Sequence, residues 1–212
     1  MIIRELLVEG KNDRHVVWSL CEIYRVPKVF SVETPKNDSG GIEQLIESIP
    51  VRLKRAGLSS LGIVIDADED LDSRWESIRY VLTSFGYKAV TSDLPASGLI
   101  HQENGLPRIG IWIMPNNHLS SDLESFIRFL IPDGDTLEGS VEDFLQTIES
   151  QNQHKYTPKH RTKAFIHAWL ACQKSPGQPM GQAITAQSLQ ANKPLAQQFV
   201  AWITALFVNP QE

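Results

Sequence analysis

The chain has 212 residues, is 42% hydrophobic and carries a net charge of −5, with 20 basic and 25 acidic side chains. This length and apolar content suit one domain with a sizeable core, with or without an appended subdomain, and the negative charge excludes a surface that is basic overall. No apolar run approaches the roughly 20 residues of a membrane span, and Cys21 and Cys172 lie far apart in no metal-ligand spacing, so we expect reduced cysteines in a cytoplasmic protein outside the membrane.

Strand and helix patterns alternate through the first half of the chain. The predicted strands are Glu5–Val8, Lys28–Val32, Leu61–Ile65, Lys88–Thr91, Gly98–His101 and Arg108–Met114. Apolar residues at helical spacing predict helices from Asn12 to near Pro27, from Ile42 to near Gly57, and from Ser73 to Phe85. Asn104-Gly105, between the last two strands, indicates a hairpin turn. This alternation predicts an α/β fold with a mostly parallel sheet flanked by helices.

The last third of the chain has only helical patterns. We predict helices at Ser121–Ile131, Val141–Ile148, Pro158–Gln173 and Leu195–Phe207. Pro132-Asp133-Gly134-Asp135 is the best candidate for a boundary. We therefore expect an α/β domain over residues 1–131 and a helical extension over residues 132–212 that packs on it as one structural unit.

Two predicted strands end abruptly at acidic residues. The apolar run Leu61–Ile65 stops at Asp66 and Asp68, and Glu9 follows the first strand. Ligands of parallel sheets bind beyond the carboxyl ends of the strands. If the two strands are neighbours, the carboxylates converge there, and two of them ~5 Å apart repel by ~3 kcal/mol at an effective dielectric of 20. Such a cluster needs a cation, and oxygen ligands favour Mg²⁺, Mn²⁺ or Ca²⁺ over zinc.

Other readings of this acidic segment carry less weight. An EF-hand loop would need Gly and Glu where Leu71 and Ser77 stand. A phosphatase of the haloacid dehalogenase type also places D-x-D after a strand, and it stays as a minor alternative. For Asp70 and Asp72 we favour a solvated loop and a cap for the following helix.

At this point the sequence resembles a known family. Val8-Glu9-Gly10-Lys11-Asn12-Asp13, followed by Ile65-Asp66-Ala67-Asp68, is similar to the Toprim fold, which is Rossmann-like. The segments Gly110–Asn117, Ser121–Glu124, His167–Ala171 and Met180–Ile184 resemble small stand-alone Toprim-like proteins related to the nuclease part of the OLD (overcoming lysogenization defect) family.

The resemblance implies roles for five carboxylates. Glu9 would be a general acid/base or metal ligand, and Asp66 and Asp68 would be metal ligands. Asp13 matches the second acid of the first motif, although an acid at a helix N-terminus is an equal alternative. Glu124 matches a late metal ligand, while Ser121-x-x-Glu124 is also a capping box.

Basic residues near the predicted helix Pro158–Gln173 complete the expected site. In OLD-type nucleases a late lysine stabilises charge on the phosphate, and Lys163 is our candidate, because Ile166 and Leu170 share its face. Lys159 is its nearest rival. We also expect Lys155, Lys159 and Arg161 to contact a nucleic-acid backbone.

The function expected from these features is Mg²⁺- or Mn²⁺-dependent cleavage of phosphodiester bonds in DNA or RNA. The main alternative is a non-catalytic or regulatory module that binds metal and nucleic acid or a nucleotide, and a phosphatase is third. The chain has no G-x-x-x-x-G-K-[ST] motif, so an ATP-driven step would need a separate ATPase partner. A homo-oligomer is compatible with all of these patterns.

Overall fold

A five-stranded sheet forms the centre of the molecule. The computed structural model describes residues 2–35, 41–88 and 90–208. The strands are β1 (Ile3–Val8), β2 (Ser31–Glu33), β3 (Leu58–Asp66), β4 (Leu99–His101) and β5 (Arg108–Met114). Their order in space is β2-β1-β3-β5-β4, and all neighbours are parallel except the hairpin of β4 with β5. The predicted α/β class and mostly parallel sheet are confirmed.

Helices cover both faces of this sheet. Within the described ranges they are α1 (Lys11–Ile23), α2 (Gly41–Leu53), α3 (Leu71–Phe85), α4 (Leu123–Arg128), α5 (Thr136–Ser150), α6 (Arg161–Ala171), α7 (Met180–Thr185) and α8 (Pro194–Phe207). A 3₁₀ turn, Pro158–His160, leads into α6. None of the helices in these ranges has the length and apolar character that crossing a membrane requires.

The alternation of side chains along the strands separates two hydrophobic layers. Leu7, Ile63 and Ile111 pack with α2 and α3 on one face. Leu6, Val64 and Trp112 pack on the other face with α1 and with the helices that follow β5. The helical C-terminal region therefore supplies most of the cover for one face of the sheet.

The last helix, α8, lies unusually close to β3 and β5. A Cβ atom on Gly110 would stand 2.5 Å from the Leu206 side chain, and one on Gly62 would stand 3.0 Å from it. Both distances are at or below the limit of real Cβ contacts, so the two glycines let the helix approach. The Trp202 indole fixes the contact by donating a hydrogen bond to the Leu99 carbonyl oxygen, at 3.0 Å.

Several predicted elements differ from those observed. The strand predicted over 88–91 is wrong: Lys88, Val90 and Thr91 are outside any strand, and Ala89 lies outside the described residues. The Lys88 amide donates to the Glu103 carboxylate, at 3.0 Å, and so makes a side-chain bond in place of a ladder bond. The helix expected from Ser121 begins at Leu123, and α7 was not predicted as a helix.

Candidate functional site

The carboxyl ends of β1 and β3 bring the first two predicted site residues together. The strands are parallel neighbours with Val8 opposite Val64, so Glu9 and Asp66 leave the sheet at the same edge. The Asp66 amide donates a hydrogen bond to Glu9 Oε1 at 2.7 Å. This contact confirms the adjacency of the two strand ends and fixes the orientation of the Glu9 carboxylate.

Asp13 reaches the same place from the first turn of α1. Its side chain is 7% exposed, and Oδ2 accepts a hydrogen bond from the Gly10 amide at 3.1 Å. Its other oxygen, Oδ1, is buried with no hydrogen-bond partner among the described groups, as is Oδ1 of Asp66. Asp13 therefore lies at the N-terminus of α1 and also lines the same edge of the sheet as Glu9 and Asp66; its role as a metal ligand stays a prediction.

The fourth carboxylate, Glu124, reaches the same place from α4. The cap of this helix is Asp122, whose Oδ1 accepts from the Ser125 amide at 3.0 Å, so the alternative in which Ser121 and Glu124 form a capping box is wrong. Free of that role, Glu124 is 6% exposed and lies 3.4 Å from Lys163 Nζ through its Oε1.

These residues surround one cavity of about 520 Å³, which we call the acidic cavity. The side chains of interest that line it are Glu9, Asp13, Asp66, Glu124 and Lys163. Four of the five carboxylates predicted as ligands and the predicted catalytic lysine thus share a single space at the edge of the sheet.

Burial and mutual repulsion disfavour negative charge in the acidic cavity. Burial first, then Glu9 and Glu124, raise the pKa of Asp13 to about 7. Burial and the charges of Asp13 and Glu9 hold the pKa of Asp66 well above its usual value. Burial also raises the pKa of Glu9, although the hydrogen bond from the Asp66 amide opposes the shift. These groups need either protons or an added cation to remain together.

Asp68 has a different environment from the other four. Its backbone has a φ of +53°, and its amide donates to the Ser121 carbonyl oxygen at 2.8 Å. Its carboxylate pairs with Arg74 Nη2 at 2.6 Å and with Lys159 Nζ at 3.1 Å. Although its partial burial opposes the change, the bonds from these two cations lower the pKa of Asp68. Asp68 is therefore already neutralised within the chain.

The predicted basic residues divide into two groups. Lys159 and Lys163 both reach carboxylates of the site, at Asp68 and Glu124 respectively. Arg161 turns away to α5, where it contacts Glu142 at 2.6 Å and Glu149 at 2.9 Å. Lys155 is exposed before the 3₁₀ turn. The two lysines are thus better placed than Arg161 to meet a ligand.

The carboxylates do not form a ready-made set of metal ligands. No group of three or more His, Cys, Asp or Glu side chains among the described residues is arranged to hold a metal ion. Glu9 and Asp13 each use one carboxylate oxygen to accept a hydrogen bond from a backbone amide. The donors nevertheless fit a hard cation, since all are carboxylate oxygens and those of Asp13 and Asp66 include buried atoms with no partner. To bind a cation together, these side chains would have to rotate towards each other.

Sequence reasoning missed two residues that shape the site. Arg74 on α3 donates a hydrogen bond to the Asp68 carboxylate and so orients it. Asp122 caps α4, and its charge contributes to the raised pKa of Asp66. A signal existed for Asp122, because an Asp three residues before Ser125 can accept from the amide of that residue. For Arg74 no local pattern indicated the pairing.

Comparison with known proteins gives a family without an assigned activity. A family model described as a protein of unknown function, DUF3226, matches residues 3–208, so the chain belongs to that family. No curated protein and no solved structure matches the chain.

Proposed function

We propose that this member of the DUF3226 family is a metal-dependent nuclease with a Toprim-like fold, which cleaves phosphodiester bonds in DNA or RNA with Mg²⁺ or Mn²⁺. The observation that carries the proposal is the acidic cavity, where four carboxylates and Lys163 meet at the carboxyl edge of a parallel sheet. The buried oxygens of Asp13 and Asp66 that have no hydrogen-bond partner support the proposal, since a cation would satisfy them.

The position of the acids in the topology supports the Toprim resemblance. Glu9 follows β1, Asp66 ends β3, and the two strands are neighbours in the sheet. That is the arrangement expected for a Glu motif and a D-x-D motif that act together. Asp68, the second acid of the D-x-D motif, would join only after releasing Arg74 and Lys159.

Asp13, Asp66 and Glu124 would hold the cation, with Glu9 beside them. When bound, a divalent cation polarises the phosphate and lowers the pKa of an attacking water. An oxygen-only set of this kind suits Mg²⁺ or Mn²⁺.

The chain itself supplies proton transfer and positive charge. Burial raises the pKa of Glu9, and the Asp66 amide holds its carboxylate, so it is suited to accept and release a proton during the reaction. Lys163, which pairs with Glu124 and is half exposed, would exchange that partner for a phosphate oxygen and stabilise its charge.

Lys155 and Lys159 would contact the nucleic-acid backbone beside the cavity. Because the protein carries a net charge of −5, these contacts are few, and the bound cation must add to the attraction. The two free cysteines suit a cytoplasmic setting, and a separate ATPase would supply any ATP-driven step.

A substrate and metal panel tests the proposal. Labelled single- and double-stranded DNA and RNA are incubated with Mg²⁺, Mn²⁺, Ca²⁺ or a chelator, and products are resolved on denaturing gels. We expect cleavage with Mg²⁺ or Mn²⁺ and none with the chelator. Asp66→Asn should abolish it, whereas Asp72→Asn, an exposed acid in the same segment, should cleave as the wild type does.

Other results of the same panel identify the alternatives. Binding of nucleic acid and metal without cleavage of any substrate would replace the nuclease with a binding module. Release of inorganic phosphate from small esters, with intact polymers, would instead indicate a phosphatase.

A further inference from the structure

A second cavity, of about 510 Å³, lies beside the acidic cavity. Its lining combines the apolar residues Pro115, Leu119 and Phe129 with hydroxyl and charged residues, which are Ser120, Ser121, Ser125, Thr162, Arg128 and Glu138. Apolar side chains beside polar groups in a cavity of this volume can hold a small organic group.

The two cavities share a wall made of consecutive residues. On α4, Glu124 lines the acidic cavity and Ser125 lines the second one. On α6, Lys163 lines the acidic cavity and Thr162 lines the second one. Successive Cα atoms are only about 3.8 Å apart. Ser121, in the second cavity, also accepts the Asp68 amide through its carbonyl oxygen. The two cavities therefore lie on neighbouring faces of α4 and α6, which consecutive residues line.

The chemistry of the walls selects an uncharged, planar ligand that forms hydrogen bonds. Phe129 is 47% exposed and Leu119 is 44% exposed, although most large apolar side chains of the described residues are buried. The charged groups in the lining, Arg128 and Glu138, pair with each other at 3.1 Å.

The Ser121 and Ser125 hydroxyls already bond to each other and to Asp122. A ligand would therefore meet them through their remaining lone pairs, together with Thr162. A nucleobase has a face that stacks on an aromatic ring and an edge that bonds to such groups.

We propose that the second cavity, hereafter the base cavity, binds one nucleobase of a single-stranded nucleic acid, stacked on Phe129, while the adjoining phosphate lies in the acidic cavity. This inference rests on the proposed nuclease function and adds a substrate class to it. A base within a duplex is paired and stacked between its neighbours, so it cannot enter a cavity unless it is extruded. Single strands, loops and ends present such bases freely.

Photocrosslinking tests the position of the base. A single-stranded oligonucleotide containing 5-iodouracil is bound to the full-length protein in Ca²⁺, checked for integrity on a gel, irradiated, and the crosslinked peptide is identified by mass spectrometry. We expect the crosslink in the peptide that contains Phe129. Crosslinks confined to other peptides would overturn the proposal.

Affinity provides the second test. Phe129→Ala should weaken single-strand binding on the order of 10-fold, the scale of one lost base–aromatic stack, with fluorescence anisotropy as the readout. The matched control is Phe144→Ala, which removes a phenylalanine that is 54% exposed on α5, and it should leave the affinity unchanged. Equal losses in both variants, or in neither, would contradict a base cavity at Phe129.

The two proposals fail in different ways. Cleavage of duplexes only, at a rate that Phe129→Ala does not change, would overturn the base cavity and leave the nuclease standing. A crosslink at Phe129 with no cleavage under any metal would overturn the nuclease and support the base cavity in a binding module.

Discussion

Two acidic groups lie close together at β1, namely Glu5 alone and the carboxylates of the acidic cavity, and they are compensated differently. Glu5 is fully buried in the middle of the strand. Its Oε1 also has no hydrogen-bond partner among the described groups, but ion pairs with Arg52 and Arg55 compensate its charge. Glu9, just past the end of β1, joins Asp13 and Asp66 around the acidic cavity, where two buried oxygens lack partners. The chain neutralises the first group itself, while the second depends on protons or an external cation.

This difference separates a structural acid from candidate functional acids. Breaking a buried ion pair leaves an uncompensated charge and destabilises the fold. Removing one carboxylate from a cluster of mutually repelling carboxylates lowers the electrostatic repulsion in the metal-free protein. Substitutions at the two places should therefore change stability and activity in opposite ways.

The largest expected effect is the loss of catalysis in Glu9→Gln. The change preserves shape but removes the group that exchanges a proton, so cleavage should fall by about 10³-fold, within the range for general acid–base catalysis. Nucleic-acid binding should remain measurable by anisotropy. Glu5→Gln is the matched control four residues earlier, within β1, and its folded fraction should cleave normally. Cleavage by purified Glu9→Gln at the wild-type rate would show that the Toprim mechanism does not apply.

Loss of one positive charge should have the next largest effect. Lys163→Ala should slow cleavage by ~10²-fold, the scale for one preorganised group that stabilises charge, without a large change in metal affinity, since lysine is not a ligand. Lys159→Ala tests the rival that pairs with Asp68, and Lys174→Ala is an exposed control. If single-turnover rates fall for Lys159→Ala alone, the catalytic role belongs to that residue.

The two groups should also differ in the sign of their effect on stability. Glu5→Gln should lower the free energy of unfolding by about 2 kcal/mol, less than for a wholly buried pair because Arg55 is half exposed. Asp66→Asn should raise that free energy in the presence of chelator. Urea denaturation of both variants measures the two changes, and a shared sign would contradict the comparison.

The last expected effect is a pH dependence of the metal-free protein. The pKa of Asp13 is raised to about 7 in the folded state, so folding favours its protonated form. Its contribution to stability is full below the unfolded pKa near 4 and is lost as pH rises through about 7. Between pH 5 and 8 the free energy of unfolding should fall by about 2 kcal/mol. A shallower slope in Asp13→Asn would assign this share of the change to Asp13, with the remainder due to Asp66 and Glu9, whose pKa values are also raised; the full wild-type slope in that variant would exclude it.

The sequence was sufficient to predict the acids that meet but not the contacts that orient them. Apolar runs ending at Glu9 and Asp66 identify parallel strands and their edge, and helical spacing places Lys163 near that edge. The direction of Asp68 depends on a left-handed backbone and on Arg74. Such pairings are set by tertiary packing, which no local pattern records.

The same limit applies to the core and to the second cavity. Glu5 has the same local sequence signature as a surface acid, and only the fold shows that arginines from the end of α2 and the loop after it cover it. The close approach of α8 depends on Gly62 and Gly110, whose role becomes visible once Leu206 lies on them. The base cavity combines residues from separate segments, so periodicity within one segment could not reveal it.

Titration of Mn²⁺ into the metal-free protein, followed by isothermal calorimetry, tests the central claim most directly. We predict saturable binding to the wild type and to the control Asp72→Asn, loss of that binding in Asp66→Asn, and weaker binding at pH 5.5 than at pH 7.5, because protons compete for the same carboxylates. An Asp66→Asn isotherm identical to that of the wild type, or no saturable binding by the wild type, would contradict the assignment of the acidic cavity as a cation site.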